Sequence, residues 1–420
     1  MSSLKSLLAR TTAVAVAAGT VGVGGVALSA TSAQAASSSP YLFEARAYGT
    51  AISGGSLSAS SGKSAYAYLG CTNRADVSDA NNITGVDLEG LDVGAVSNNV
   101  RSTKYASGYV SYGRSAIASI KAGDSTGPNL EITALSAVSR SFRNSTGFHS
   151  ALDYSGTLDF APVAGGPKTR IAFPDEGETV ALPGLGTVTG GVKNLTERAT
   201  YASASGYALK LHLDASDSNV LIGRTSTLIS NGTTAGVMGG RAYGSRATLA
   251  SGAVTSGPTG LKILPCRGTG GVAKSTTTAA TTLPGLVGVG ATESTVRGSA
   301  ADTGVADAWT RSTVARVDIG EGVVIRGIRA SAHVHRYASG KVTRTARGTV
   351  PGTITVDGST SDLPVDGRLV VPGVAEIDTR EVTSTDNSLV SVAVRVTLLS
   401  GTGANSVVDL GNATASITRH

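Results

Sequence analysis

The sequence predicts an all-β protein: two tandem antiparallel β-sandwich or jelly-roll-like domains behind a signal peptide. Three observations carry this. Stretches 94–104, 108–120, 132–143 and 199–213 are rich in Val, Ile, Tyr, Ser and Thr, lack proline and largely alternate with period two, the pattern of strands with one covered face. Helical periodicity is missing beyond the first 35 residues, and Gly, Asn and Asp clusters at 78–82 and 401–405 read as turns between strands. The chain also repeats itself with a spacing of roughly 190 residues.

The leader comes first. Lys5 and Arg10 precede a weakly apolar run from Thr12 to Leu28, and Ala33-Gln34-Ala35 forms a small-x-small cleavage site, the layout of a secretory signal peptide occupying residues 1–35. The run holds Gly19, Gly22, Gly24 and Gly25 and little leucine, which makes a poor spanning helix. The tail, 415–420, carries no hydrophobic stop or sorting signal, so the mature chain is expected to lack a transmembrane anchor and to be secreted, free or held at the cell wall.

Residues 36–235 form the first unit and 236–420 a second, diverged one. Arg46-Ala47-Tyr48-Gly49 returns as Arg241-Ala242-Tyr243-Gly244, and Cys71 and Cys266 keep the same offset of 195. Stretch 132–147 matches 325–340, pairing Leu135 with Ile328 and Arg143 with Arg336. Leu182-Pro183-Gly184-Leu185 matches Val371-Pro372-Gly373-Val374, and Val220-Leu221-Ile222-Gly223 matches Val408-Asp409-Leu410-Gly411. The polar, glycine-laden stretch 230–240 is the boundary. Each copy is long enough to bury its own core, and a β-helix would repeat with a shorter period.

Composition excludes some functions. The formal charge of +6 includes Lys5 and Arg10, leaving +4 after the leader. The remaining basic residues are scattered without a run or reader motif, so no nucleic acid partner is expected. Only 15% of residues are charged and 55 are glycine, a balance that suits an extracellular β protein better than a cytosolic enzyme.

With these landmarks the chain resembles the choice-of-anchor P family of exported actinobacterial proteins. The resemblance lies in the export signal, Ala47-Tyr48-Gly49-Thr50, Leu69-Gly70-Cys71-Thr72 with its following turn, the run 182–189 (Leu-Pro-Gly-Leu-Gly-Thr-Val-Thr), strand 208–213 and the closing Val220-Leu221-Ile222-Gly223. It covers most of the first copy. It implies a surface or extracellular location with anchoring that varies between members, and no catalytic residues to carry over.

Several constellations have both a functional and a structural reading. Cys71 and Cys266, at equivalent positions outside the reducing cytosol, are either one disulfide joining the copies near a pseudo-twofold axis or two buried thiols. His333 and His335, spaced i, i+2, share a strand face as two zinc ligands do, yet no third donor is evident and a solvated face explains them better. His149 and His212 show no carboxylate or nucleophile partner. Tyr66 and Tyr68 form either a sugar-stacking platform or, since Leu261 and Ile263 occupy the equivalent positions, the favoured alternative of a core face. Fifteen of the 18 aromatic residues precede residue 240, so a ligand held through aromatics belongs to the first copy. Trp309 is expected in the core. Ser60 and Lys63 have nucleophile–base spacing without the companion motifs. The glycine-rich 184–191 lacks a P-loop lysine, and the acidic stretches Asp175-Glu176 and 214–219 read as solvated turns rather than calcium sites.

The sequence therefore assigns no catalytic residue, cofactor or metal. It points to a non-enzymatic structural or interaction protein of the envelope or extracellular matrix, contacting a cell-wall polymer, another extracellular polymer or a protein surface. An extracellular glycan-binding, adhesin-like module and a secreted hydrolase are the competing readings.

Overall fold

The computed structural model describes residues 37–418 apart from 54–63, 89, 124–125, 233–235, 249–254, 257, 284–286, 321 and 402–403. The stretch 1–35 predicted as a signal peptide, its expected cleavage site and the Ser60/Lys63 pair lie outside the described residues. Every described element is a β-strand, in four antiparallel sheets that do not close into barrels. No described helix is long and apolar enough to cross a membrane.

Strands between residues 37 and 231 form sheets of seven and eight strands, and those between 237 and 418 form sheets of seven and nine. Within each lobe the first strand pairs antiparallel with the last: Ser37–Ser53 with Ser218–Asn231, and Val237–Thr248 with Val407–Thr418. The other sheet is built on a meander, in the first lobe Gly108–Ala122, Asn129–Asn144 and Gly147–Ala161. Its second-lobe counterpart is the hairpin Ala306–Gly320 and Val323–Arg336.

Period-two alternation builds the cores, because successive side chains of a strand point to opposite faces. Ile120, Ile132 and Leu158 from one sheet meet Leu209, Leu211 and Ile222 from the other. In the second lobe Val317, Ile325 and Ile328 face Ile377, Val394 and Leu410. Each such aliphatic side chain taken fully out of water contributes about 1.5–3 kcal/mol. Serines tie the sheets together at matching places: the Ser115 hydroxyl donates to the Tyr48 carbonyl (3.1 Å), and Ser312 to that of Tyr243 (2.8 Å).

Two repeated motifs have a backbone cause. In Leu182-Pro183-Gly184-Leu185 the Leu185 N–H donates to the Leu182 carbonyl (2.9 Å) with Gly184 at φ +76°, and Val374 donates to Val371 (3.0 Å) with Gly373 at +73°. This is a type II turn, proline at its second position and glycine at its third. The glycine-rich stretch that follows is simply the hairpin Thr179–Leu182/Gly186–Gly190. Gly223 and Gly411, which end the matching tetrapeptides, both take φ near +63° (64° and 63°), and a Cβ on Gly223 would lie 2.8 Å from Leu135 Cδ2. Only glycine combines that dihedral with so close a neighbour.

The opening strand of each lobe is buried on both faces along much of its length. Phe43, Ala45 and Ala47 point into the first core. Leu42, on the other face, joins Val237, Cys266, Cys71 and Leu228 in an apolar cluster drawn from both lobes. The lobes therefore meet through the outer faces of their opening strands.

Candidate functional site

Cys71 and Cys266 are joined in a disulfide, Cα to Cα 5.3 Å, across this junction. Around it the contacts are reciprocal. Arg46 of the first lobe lines one cleft of about 370 Å³ with Leu261, Lys262 and Ile263 of the second. Its repeat equivalent Arg241 lines another of about 300 Å³ with Tyr66 and Tyr68, the equivalents of Leu261 and Ile263. Equivalent residues that share a cleft with one another's counterparts match the arrangement of an isologous interface. The disulfide links equivalent positions of the two copies.

The two clefts differ because the copies have diverged. In the smaller one the Tyr66 and Tyr68 rings stack, centroids 6.1 Å apart, and the Arg241 guanidinium lies over Tyr68 at 5.8 Å. Asp79, Asn81, Tyr243, Pro258 and the exposed Arg246 complete the lining. The strand Ser78–Ile83 is fixed beneath the tyrosines, since the Tyr68 N–H donates to Asp79 Oδ2 (2.8 Å) and Asn81 Nδ2 donates to the Tyr66 carbonyl (3.1 Å). Burial, the main cause, holds both phenols above the ordinary tyrosine value, so they are neutral hydrogen-bonding groups. Burial opposes the charge of Arg46, but Glu44, whose Oε1 accepts from its Nη2 at 2.6 Å, and the two tyrosines more than offset this and raise its pKa.

The tyrosine pair corrects the sequence reading. Ala65, Ala67 and Leu69 supply the core face of this strand, while Tyr66 and Tyr68 face the second lobe. Apolar Leu261 and Ile263 at the equivalent positions mark the lobe junction, which a one-domain alternation rule attributes to the core. Trp309 is also not a core residue. Ala308 and Thr310 point inward and are fully buried, whereas Trp309 is half-buried on the outer face between Arg297 (5.6 Å) and Arg311 (5.2 Å).

The histidines have carboxylate partners that sequence reasoning missed. His212 Nε2 lies 3.4 Å from Asp214, in the turn that begins where its own strand ends. His149 has Glu197 at 3.5 Å from Nδ1 and Thr146 Oγ1 at 2.9 Å from Nε2. That connectivity resembles a nucleophile triad, but the Thr146 hydroxyl donates to Asn144 Oδ1 (2.7 Å), which ties it into its own exposed turn. The other acidic stretches lie at turns: the Asp175 N–H donates to Glu178 Oε2 (2.8 Å), Glu176 accepts from the more distant Lys193 N–H (2.7 Å), and the Asp217 backbone N–H closes a turn on the Asp214 carbonyl (3.3 Å).

His333 and His335 do share a face, and the missing third donor is Asp307, on the neighbouring strand directly opposite His335. Its Oδ2 lies 2.6 Å from His333 Nε2 and 3.2 Å from His335 Nδ1. Among the described residues this is the group of donor atoms, all within 4.8 Å of one another, able to hold a metal ion. A register count down the hairpin from Asp318 opposite Val324 reaches Asp307 opposite His335, but only once the turn and its register shift are located.

The hydrogen bond from His333 holds the Asp307 carboxyl below its ordinary value against the opposing effect of burial, with His335 and Arg297 adding to the lowering. Stability from a depressed carboxyl is present above its unfolded value, near about pH 3.9, and disappears as pH falls through the lower folded value. Asp307→Asn is therefore expected to cost about 1 kcal/mol near neutral pH in the presence of chelator. Denaturant melts at descending pH should show the two proteins converging below the carboxylate range.

No family model matches the chain, and no curated protein matches it.

Proposed function

We propose that this chain is an exported, non-catalytic structural or interaction protein of the cell envelope or extracellular matrix, related to the choice-of-anchor P proteins. It acts by contact through the surfaces of a rigid two-lobed body. The observation that supports this most is the junction itself. Two strands buried on both faces, an apolar cluster shared by the lobes and a disulfide at equivalent positions fix the copies as one unit. A mobile pair of modules does not need such a lock, whereas a protein presenting a fixed, extended surface to a wall polymer or protein layer does. The test is fractionation of the native culture, with the purified mature protein offered to its own cell walls. Retention on the wall fraction is expected. A product found only free in the medium, without wall affinity, overturns the reading.

A glycan-binding role is the second reading, favoured by the cleft of Tyr66, Tyr68, Asp79, Asn81, Arg241 and Arg246. At about 300 Å³ it stands at the small end of ligand pockets. Arg241 already covers the Tyr68 ring, so a sugar would be read by hydrogen bonds more than by stacking. This reading expects saturable retention on a soluble wall polysaccharide and its loss in Arg246→Ala, which removes an exposed side chain. Wall binding unchanged by that substitution and not competed by the polysaccharide would leave contact through the outer surfaces as the mode of attachment.

A further inference from the structure

The outer face of the second lobe carries a two-histidine, one-carboxylate set that neither reading above employs. Its geometry follows from the sheet. His333 and His335 are two residues apart on one strand and so point the same way. On the adjacent strand Asp307 lies opposite His335 and Trp309 opposite His333, which places the carboxylate within reach of both imidazoles. The inward alternation of Ala306, Ala308, Ala332 and Val334, all packed in the core, locks both strands beneath. The set thus stands on two paired strands rather than on a loop, the kind of support that holds ligands in place.

We propose that Asp307, His333 and His335 form a binding site for a divalent transition cation, with zinc as the reference ion, three protein ligands and an open fourth position facing solvent. Imidazole nitrogen with carboxylate oxygen is a donor set that zinc takes in sites which keep one position open. Ligands about 2.0–2.1 Å from a tetrahedral zinc are separated by about 3.3 Å. Asp307 Oδ2 and His335 Nδ1 already stand 3.2 Å apart, and the 2.6 Å contact to His333 Nε2 has to open by less than about 1 Å, a side-chain adjustment. The ion would sit between atoms that lie within hydrogen-bonding distance of one another in the metal-free protein, and it binds the deprotonated ring nitrogens and the carboxylate. The ligand side chains are 33%, 28% and 21% exposed for His333, His335 and Asp307, so they are partly desolvated yet accessible.

Two features set its character. Arg297 Nη2 lies 3.8 Å from Asp307 Oδ1 and opposes a cation, which weakens the site relative to a purely anionic shell. The first copy also lacks it: in the matching hairpin Arg140 and Phe142 stand for the histidines, with Val110 paired to Phe142 where Asp307 pairs to His335. The site is therefore a property of the second copy, and one ion per chain follows.

The test uses the tag-free mature chain, stripped with chelator and titrated with Zn²⁺ by calorimetry, and with Co²⁺ by visible absorption. One equivalent of Zn²⁺ and a Co²⁺ spectrum of low coordination number are expected. His333→Gln, His335→Gln and Asp307→Asn should each weaken binding by at least about tenfold, while His149→Gln leaves it unchanged. Melting curves in chelator verify that each variant is folded, which the partial exposure of these side chains favours. Absence of Zn²⁺ binding by the folded protein, or an affinity equal to wild type in the three ligand variants, overturns the proposal.

Discussion

Removing the Cys71–Cys266 bridge is expected to produce the largest loss of stability of any substitution in the chain outside the cores. The bond closes a loop with a sequence separation of 195. In the chain-entropy model, restoring that freedom to the unfolded chain lowers the unfolding free energy by up to about 5 kcal/mol. With an unfolding entropy of about 2.1 cal/mol/K per residue, this is a fall in Tm of about 6 °C for a body of this size. The loss is paired with a change in cooperativity. Intact, the lobes are expected to melt together; after reduction, or in the Cys71→Ala/Cys266→Ala double variant, only the apolar cluster and the strand-face contacts couple them. Two calorimetric transitions should then replace one. Alanine is the simpler replacement, because Leu42, Val237 and Leu228 pack around the sulfurs, whereas a serine hydroxyl at position 266 would face the Phe43 carbonyl and the Glu44 carboxylate and add polar contacts of its own. Thiol titration of the unfolded, unreduced protein should find no free thiol, and two titratable thiols would remove the basis of the prediction.

The sequence exposed the features that depend on local pattern. Period-two alternation identified the strands, and the repeated Leu-Pro-Gly-Leu and Val-Leu-Ile-Gly motifs mark a type II turn and a left-handed glycine with the same backbone role in both lobes. The equal offset of the cysteines singled them out as equivalent positions, while leaving open whether they form one bridge or stay as two thiols. What stayed hidden depends on partners that sequence spacing does not contain. Alternation reveals that Tyr66 and Tyr68 share a face, but not that this face meets a second lobe instead of a core. The same alternation places Trp309 opposite its neighbours Ala308 and Thr310, and the inward position of those two small residues decides that the indole points out. Asp307 joins the histidines through strand register, across a separation of 26 or 28 residues, which no local motif announces.

Arg46→Ala is the second substitution with a large expected effect, and its cost comes from the residue left behind. Glu44 is only 5% exposed, on the face of the opening strand that meets the other lobe. Arg46, two residues on and so on the same face, donates from Nη2 and Nε to Glu44 Oε1 at 2.6 and 3.1 Å. The other oxygen, Oε2, lies 3.9 Å from the Cys266 sulfur, which in a disulfide has no proton to give. The repeat supplies no spare acid: Gly239 occupies the position of Glu44 in the second copy, so the junction holds two equivalent arginines and one buried carboxylate. Breaking a buried pair by removing one partner costs about 3–5 kcal/mol. The Arg46 side chain is 38% exposed, so water reaches part of the site and a value near the lower end, about 3 kcal/mol, is expected. Glu44→Gln, which removes the charge and keeps the shape, should cost about 1–2 kcal/mol. The double variant Glu44→Leu/Arg46→Met should recover most of the loss, since an apolar pair of similar volume avoids desolvating either ion. Denaturant melts of the wild type, both single variants and the double variant measure this directly. A double variant as unstable as Arg46→Ala would mean that the ion pair itself, rather than the stranded carboxylate, holds the junction together.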